Sequence, residues 1–258
     1  MENNKNEKQE NGLIVGRNAV LEALKSERAI DTLLVAKGER NGSVGRIIAA
    51  CKDKGTVIKE VDKRKLDFLC GGGNHQGVAA YAASHEYAEL EDIFSLAKER
   101  GEAPFIIICD ELEDPHNLGA IIRTAECAGA HGIIIPKRRS VSLTWAVGKA
   151  AAGALEYMPV VRVTNLSSTL DELKERGVWI YSADMDGTDY SKTDFSGAVG
   201  LVVGSEGNGV GKLVKSKSDF IVSLPMKGKI SSLNASVAAG ILMYEVSRQR
   251  TDKISVGN

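Results

Sequence analysis

Residues 105–136 read FIIICDELEDPHNLGAIIRTAECAGAHGIIIP, in which two short apolar runs flank an amphipathic segment. FIIICD (105–110) and GIIIP (132–136) lack the alternation of a half-exposed strand, so they predict strands buried on both faces. Between them, Asp114 followed by Pro115 is typical of a helix start, with a capping carboxylate and a proline in the first turn. Strand, helix and strand in this order predict a parallel βαβ unit.

The alternation continues toward the carboxyl end of the chain. Further apolar runs predict strands at 178–184, 199–206 and 219–226, and helical patterns cover 115–129, 165–176 and 232–249. Strands that alternate with helices predict an α/β fold with a mostly parallel sheet covered on both sides. Ligands of such sheets bind in the loops at the carboxyl ends of the strands.

The first half predicts a smaller α/β domain. Short strand and helix patterns fill residues 13–86, and a helical connector without an apolar strand spans 87–104. We therefore expect an N-terminal domain at 13–86, a linker at 87–104 and a larger domain at 105–258. The polar, aperiodic residues 1–12 predict a disordered tail.

The charges give two conflicting indications. The chain has 258 residues with 33 basic and 34 acidic side chains, and a net charge of −1 argues against a nucleic-acid partner. Basic residues nevertheless cluster at predicted strand ends: Lys137, Arg138 and Arg139 are consecutive, and 207–229 holds five lysines against one aspartate. Two basic runs at ligand-binding ends of strands favour a site for a polyanion.

Cysteine spacing and hydropathy exclude several classes. The four cysteines lie far apart, without the spacing of a zinc site, so we expect no metal. Cys109 and Cys127 fall in apolar or small-residue surroundings and predict buried thiols. Without a disulfide pattern, an apolar leader or a membrane-length apolar run, the sequence predicts a soluble cytoplasmic protein.

Three loops contain candidate functional residues. Arg123 lies off the apolar stripe of its helix, one turn after Gly119 and Ala120. This position is compatible with an ordinary surface arginine or with an arginine that reaches a phosphate. GSEGNGVG (204–211) is glycine-rich but lacks the dinucleotide-binding spacing, which disfavours a Rossmann dehydrogenase. Ser232 and Asn234 lie at a helix entrance, where capping is their ordinary role.

Taken together, three segments resemble the SpoU (TrmH) family of RNA ribose 2′-O-methyltransferases. The first is the stretch 117–123, with Asn117, Gly119 and Arg123. The second is VVGSEGNG (202–209), and the third is LPMKGKISSLNASVAAGI (224–241). GRNAVLEAL (16–24) through NHQGVAA (74–80) also resembles the ribosomal-protein-like substrate domain of members that modify a guanosine of large-subunit ribosomal RNA.

The resemblance implies S-adenosylmethionine as methyl donor, a deep trefoil knot that binds it, and a homodimer packed through the knotted domain. The implied cofactor-binding residues are Gly204, Gly207, Leu224, Met226 and Leu233. The implied catalytic residues are Asn117, Arg123, Glu206, Ser232 and Asn234. The candidate RNA-binding residues are Arg17, Lys137, Arg138, Arg139, Lys227 and Lys229.

The resemblance also suggests roles. Because an arginine stays protonated in ordinary protein settings, we expect Arg123 to orient the phosphate and hydroxyl rather than to act as a base. Asn117 and Asn234 would hold substrate and loop geometry, Glu206 would organise the knot loop, and Ser232 would bridge cofactor and arginine.

The expected substrate is a guanosine of 23S ribosomal RNA. Transfer RNA, an antibiotic-target adenosine of ribosomal RNA, and a non-catalytic RNA-binding role in ribosome assembly stay open as alternatives. We expect no membrane partner.

Overall fold

The computed structural model describes residues 12–25, 30–40, 42–82, 85–205, 207 and 209–256, with side chains to residue 251. Glu206 and nearly all of the predicted tail therefore lie outside the described residues. The chain forms two compact units. Residues up to Glu86 together with Ser142–Gly148 form the first, and Tyr87–Val141 together with the residues from Lys149 onward form the second.

In the part that the structure describes, the first unit has a four-stranded sheet and three helices before residue 86. Its elements are β1 (Leu13–Val15), α1 (Arg17–Lys25), β2 (Ile30–Ala36), α2 (Ser43–Asp53), β3 (Val57–Val61), α3 (Lys63–Leu69) and β4 (Val78–Ala82). The strand order is β1-β4-β2-β3, with β2 and β3 parallel and the other pairs antiparallel.

Alternate residues of its strands form two small cores. Leu33 and Val35 pack with α1 and α2, whereas Leu34 and Ala36 pack with α3 through Leu66. Because successive strand side chains point to opposite faces, two helices cover one face of the sheet and the seven-residue α3 packs on the other.

The second unit contains the predicted parallel sheet. Its strands are β5 (Phe105–Cys109), β6 (Gly132–Pro136), β7 (Val160–Val163), β8 (Trp179–Asp189), β9 (Val199–Val203) and β10 (Phe220–Ser223). Its helices are α4 (Leu90–Glu99), α5 (Pro115–Cys127), α7 (Leu166–Glu175), α8 (Lys212–Lys217) and α9 (Ala235–Val256), and α6 (Trp145–Ala151) begins in the first unit's segment.

Its six strands have the order β10-β8-β9-β5-β6-β7, and all neighbouring pairs are parallel. Every residue of β5 is buried, as expected for a central strand covered on both faces. A side chain at Gly132 would overlap Ile93, so the glycine in β6 permits close packing of α4 on the sheet. The α/β fold with a parallel sheet is thus confirmed.

Several details differ from the sequence predictions. The short elements β7, α6 and α8, which have four, seven and six residues, were not predicted from the sequence. Within 87–104, α4 packs into the core of the second unit through the fully buried Ile93. The prediction of a buried Cys127 is wrong, because the residue is exposed at the last turn of α5.

The described part of the chain offers no grouping of His, Cys, Asp or Glu suited to a metal ion. Cys109 is buried, and burial raises the pKa of its thiol to about 12, which makes it unreactive. Among the described residues no helix has the length and apolar character needed to cross a membrane.

Candidate active site

A cavity of about 470 Å³ lies at the carboxyl ends of β9 and β10. Its wall includes Gly204, Gly207, Leu224, Met226 and Leu233, which are the five residues predicted to bind the cofactor. Ser231, Ser232, Ala235, Ala238 and Leu242 extend the wall along the segment that enters α9 and along α9 itself. The cavity volume falls in the range of small-molecule sites, roughly 300–1,000 Å³.

The glycine loop after β9 is held in a closed conformation. Ser205 and Gly209 exchange two backbone hydrogen bonds, at 3.2 and 2.8 Å, which close the loop on itself. A side chain at Gly204 would overlap the backbone of Gly209, so glycine is required where the strand ends. This loop therefore presents bare backbone to the cavity.

Asp110 anchors the far end of the same loop. The residue follows β5 and is buried, and its Oδ2 accepts a hydrogen bond of 2.8 Å from Gly211 N. Burial raises the pKa of Asp110, although the hydrogen bond from Gly211 opposes the change. Because Gly211 N also marks the start of α8, one carboxylate fixes both the loop and the helix that follows it.

Charged groups also line the cavity. Asp184 and Asp186 of β8 face the cavity together with Lys215 of α8, whose Nζ lies 2.9 Å from Asp184 Oδ2. Burial alone would raise the pKa of Asp184, but the hydrogen bond and charge of Lys215 bring it below its ordinary value. The wall thus carries an ionised carboxylate.

A side-chain hydrogen bond joins the first turns of α5 and α9. Asn234 Nδ2 donates to Oδ1 of the buried Asn117 over 2.9 Å. Asn234 Oδ1 meanwhile accepts from Ser236 N at 3.0 Å and Val237 N at 3.3 Å, so the same amide caps α9. Since Leu233 lines the cavity, this bond couples the cavity wall to α5.

Arg123 lies two turns further along α5. Its side chain is exposed, has no hydrogen-bond or ion-pair partner among the described residues, and is not part of the cavity wall. The neighbouring Thr124 lies against Gly240 of α9, where a Cβ would be 3.6 Å from Thr124 Cγ2. The structure therefore brings together the predicted asparagines and Ser232 near the cavity and places the arginine on an accessible face of the adjoining helix.

The predicted RNA-binding residues have different surroundings. Lys227 and Lys229 are exposed on the segment that leads to the cavity. Arg138 is exposed and Lys137 partly buried after β6, and Arg139 pairs with Glu111 at 2.9 Å.

Arg17 is part of a local network in the first unit. Its Nε donates to Gln76 O at 2.7 Å, and its Nη2 lies 3.2 Å from Glu39 Oε2. These contacts give Arg17 a structural role in holding the turn before β4.

Two features of the site escaped the sequence analysis. Asp110, Asp184 and Lys215 were not singled out, although Asp110 directly follows a buried strand, the position where ligand-site residues concentrate. On α9, Val237, Ile241 and Tyr244 form an exposed apolar stripe at helical spacing. The small residues Ala239 and Gly240 instead face the protein, with Ala239 fully buried.

Comparisons with known proteins show which families the chain matches. Residues 104–244 match the SpoU rRNA Methylase family, and residues 13–88 match the RNA 2'-O ribose methyltransferase substrate binding family. YacO of Bacillus subtilis (strain 168), named as a TrmH family tRNA/rRNA methyltransferase, is 52% identical over 243 residues, covering 94% of this chain and 97% of YacO. A Staphylococcus aureus (strain MSSA476) protein of the same designation is 46% identical over 244 residues, covering 94% of this chain and 98% of its own length.

Solved structures show the same likeness. The SpoU methyltransferase AviRb from Streptomyces viridochromogenes in complex with AdoMet has a TM-score of 0.59 and 25% identity, covering 93% of this chain and 90% of AviRb. The AdoMet-bound rRNA methyltransferase from Sinorhizobium meliloti has a TM-score of 0.56 and 25% identity, covering 96% and 90% of the two chains.

Proposed function

The chain belongs to the SpoU (TrmH) family of S-adenosylmethionine-dependent RNA 2′-O-methyltransferases, and we propose that it methylates a guanosine ribose of 23S ribosomal RNA. The observation that supports this proposal best is the bond between Asn117 and Asn234, which links a ligand-sized cavity to the helix that carries Arg123.

The cavity suits the methyl donor. Bare loop backbone beside Gly204 and apolar side chains such as Leu224 and Leu233 suit an adenine ring, which needs a flat apolar slot and a few backbone partners. The two carboxylates of Asp184 and Asp186 outnumber the single ammonium of Lys215 in the cavity wall, and this net negative charge suits a cationic sulfonium ligand. When bound, S-adenosylmethionine supplies an activated methyl group.

Arg123 and its neighbours position the acceptor in this proposal. A ribose hydroxyl must approach the methyl group in line, so orientation is the main catalytic task. The exposed guanidinium of Arg123 stays protonated, holds an RNA phosphate and stabilises the developing alkoxide, while the hydroxyl proton passes to that phosphate or to solvent water. Asn117 and Asn234 hold α5 against the cofactor segment, and Ser232 bridges the cofactor and Arg123. Glu206 retains its predicted role in the loop.

We propose a homodimer formed through α9. Val237 and Tyr244 are 50% and 54% exposed, and Ile241 lies between them on the same side of the helix. Leu233, 37% exposed, and Met226, 38% exposed, continue this apolar surface to the cavity. A second copy of the chain that covers the stripe would shield the cofactor from water and bring a second α5 close to the cavity.

RNA recognition is assigned to both units. In the second unit, Lys137, Arg138, Arg139, Lys227 and Lys229 would contact phosphates near the cofactor cavity. The first unit would act as the substrate-binding domain, and Arg17 would contribute mainly by shaping its surface. We also propose that the chain over residues 204–234 forms the trefoil knot that the family resemblance implies. A ribosomal RNA substrate implies action in the cytoplasm.

A labelled-methyl assay tests the substrate. The purified protein is incubated with tritiated S-adenosylmethionine and undermethylated total RNA, and the labelled ribose is mapped. Label at a guanosine of 23S ribosomal RNA supports the proposal, whereas label confined to transfer RNA or to an adenosine contradicts it. Cofactor binding without transfer to any RNA would favour an assembly role.

A further inference from the structure

Helix α3 of the first unit exposes an aromatic ring beside two cations. Phe68 is 84% exposed, the highest value among the large apolar side chains that the structure describes. Arg64 and Lys65 precede it in the same helix and are also exposed. A single exposed apolar side chain is common on protein surfaces, and what distinguishes Phe68 is the pair of exposed cations beside it.

The geometry of α3 places these three side chains on one side. Leu66 and Cys70 are buried and face the sheet. Residues three and four positions apart are neighbours on a helix, so Lys65 and Arg64 lie one turn before Phe68, on the side away from the sheet. The exposed surface is therefore a ring flanked by two positive charges.

The two cations are available for a ligand. Elsewhere in the first unit, Arg17 pairs with Glu39, Lys37 with Asp62, and Arg40 with Glu60. Among the described residues, neither the Arg64 nor the Lys65 side chain has an ion-pair or hydrogen-bond partner. A phosphate could thus approach either group without first breaking an existing contact.

The helix is also held rigidly. Asp67 Oδ1 accepts a hydrogen bond of 2.9 Å from His75 Nε2, and His75 Nδ1 accepts one from Gly77 N at 2.9 Å. The backbone amides of Gly71 and Gly72 close the end of the helix on Phe68 O and Asp67 O. His75 therefore links α3 to the turn before β4. These hydrogen bonds fix the position of the helix that carries Phe68.

We propose that Arg64, Lys65 and Phe68 form an RNA-contact surface. Phe68 stacks on an unpaired base, and Arg64 and Lys65 bind the phosphates that flank it. Proteins recognise single-stranded RNA by this combination of aromatic stacking and cationic contacts. The inference rests on the proposed function in taking RNA as the substrate, but it does not depend on which nucleotide is methylated.

Paired variants test the cationic part, with undermethylated large-subunit ribosomal RNA as the probe. Arg64→Gln/Lys65→Gln is compared with Arg46→Gln/Lys52→Gln, which removes the same charges from α2 on the opposite sheet face. We expect the α3 variant alone to bind RNA about tenfold or more weakly, with a salt dependence reduced by the equivalent of about two phosphate contacts. Equal weakening of both variants would contradict a localised surface.

Substitutions of Phe68 test the stacking. Phe68→Tyr should retain RNA affinity, whereas Phe68→Ala and Phe68→Leu should lose roughly 5- to 100-fold, since leucine is apolar but has no flat ring. Unchanged affinity in Phe68→Leu would overturn the stacking role, and unchanged affinity in all variants would overturn the proposed RNA-contact surface. Thermal unfolding and S-adenosylmethionine affinity should match the wild type throughout. Wild-type protein that binds no RNA would instead refute the proposed function itself.

Discussion

The amide of Asn234 donates a hydrogen bond of 2.9 Å to Oδ1 of Asn117, and with its own oxygen it caps α9. One side chain thereby joins the first turns of two helices that are 117 residues apart in the sequence. Because Leu233 belongs to the cavity wall and Arg123 to α5, this contact connects the cofactor side of the site with its proposed catalytic residue.

The two functions of Asn234 can be separated by substitution. Asn234→Ser keeps a capping oxygen but loses the donor to Asn117, whereas Asn234→Ala loses both. We expect Asn234→Ala to lower the free energy of unfolding by about 1–2 kcal/mol and Asn234→Ser by less, since cap removal typically costs about 1 kcal/mol. Both variants should lose methyl transfer. Chemical denaturation measures the effect on stability, and turnover measures the effect on catalysis. A fully active Asn234→Ser would show that the hydrogen bond from Asn234 to Asn117 is dispensable.

Asp110 is predicted to control the cofactor loop from outside the cavity. Asp110→Ala removes the acceptor for Gly211 N, and we expect S-adenosylmethionine to bind about 5- to 30-fold more weakly, as for the loss of a buried hydrogen bond. Asp110→Asn retains an acceptor and serves as the control. Calorimetric titration measures both affinities. Equal affinities for the two variants would mean that the hydrogen bond does not position the loop.

His131 makes stability depend on pH. Burial, opposed by the nearby Glu102, lowers the pKa of His131 to about 4 from the ordinary 6.5. Its Nδ1 accepts from Phe105 N at 2.9 Å, so Nε2 bears the proton and donates to Glu102. Protonating Nδ1 breaks the Phe105 bond.

The unfolded chain therefore binds a proton at His131 before the folded protein does, and the stability contributed by this residue falls as the pH decreases from 6.5 to 4. His131→Gln cannot titrate and should show a flatter profile of unfolding free energy over this interval. Parallel profiles for the two proteins would contradict the assignment.

The apolar stripe of α9 predicts the oligomeric state. Val237→Glu/Tyr244→Glu should convert a dimer to a monomer, because two carboxylates would be buried in the interface. Trp179→Glu alters a side chain of similar exposure, 53%, away from the stripe and should leave the dimer intact. Light scattering coupled to gel filtration distinguishes the two results. A monomeric wild-type protein would refute the proposed interface.

Strongly patterned segments were predictable from the sequence. The apolar runs of β5 and β6 and the Asp114–Pro115 helix start have the expected structures, with the Asp114 side chain accepting from His116 N at 3.1 Å. Short elements were not: β7 has only four residues, and α8 lies within a lysine-rich segment without a clear apolar stripe.

Tertiary contacts explain the remaining differences. Gly240 of α9 packs on Thr124 of α5 within the chain, a contact that the helical pattern alone does not reveal. The role of Asp110 depends on Gly211, 101 residues away. Pattern alone does not reveal such distant partners, which is why the motifs located the cavity but not the groups that support it.

Arg123→Ala tests the central claim most directly. S-adenosylmethionine affinity and single-turnover methyl transfer to undermethylated ribosomal RNA are measured on this variant, with Arg46→Ala as an exposed arginine control from the first unit. We predict transfer slower by about 100- to 1,000-fold, the scale of losing a transition-state charge contact, with cofactor affinity within about twofold of the wild type. Transfer at the wild-type rate in Arg123→Ala would contradict this claim.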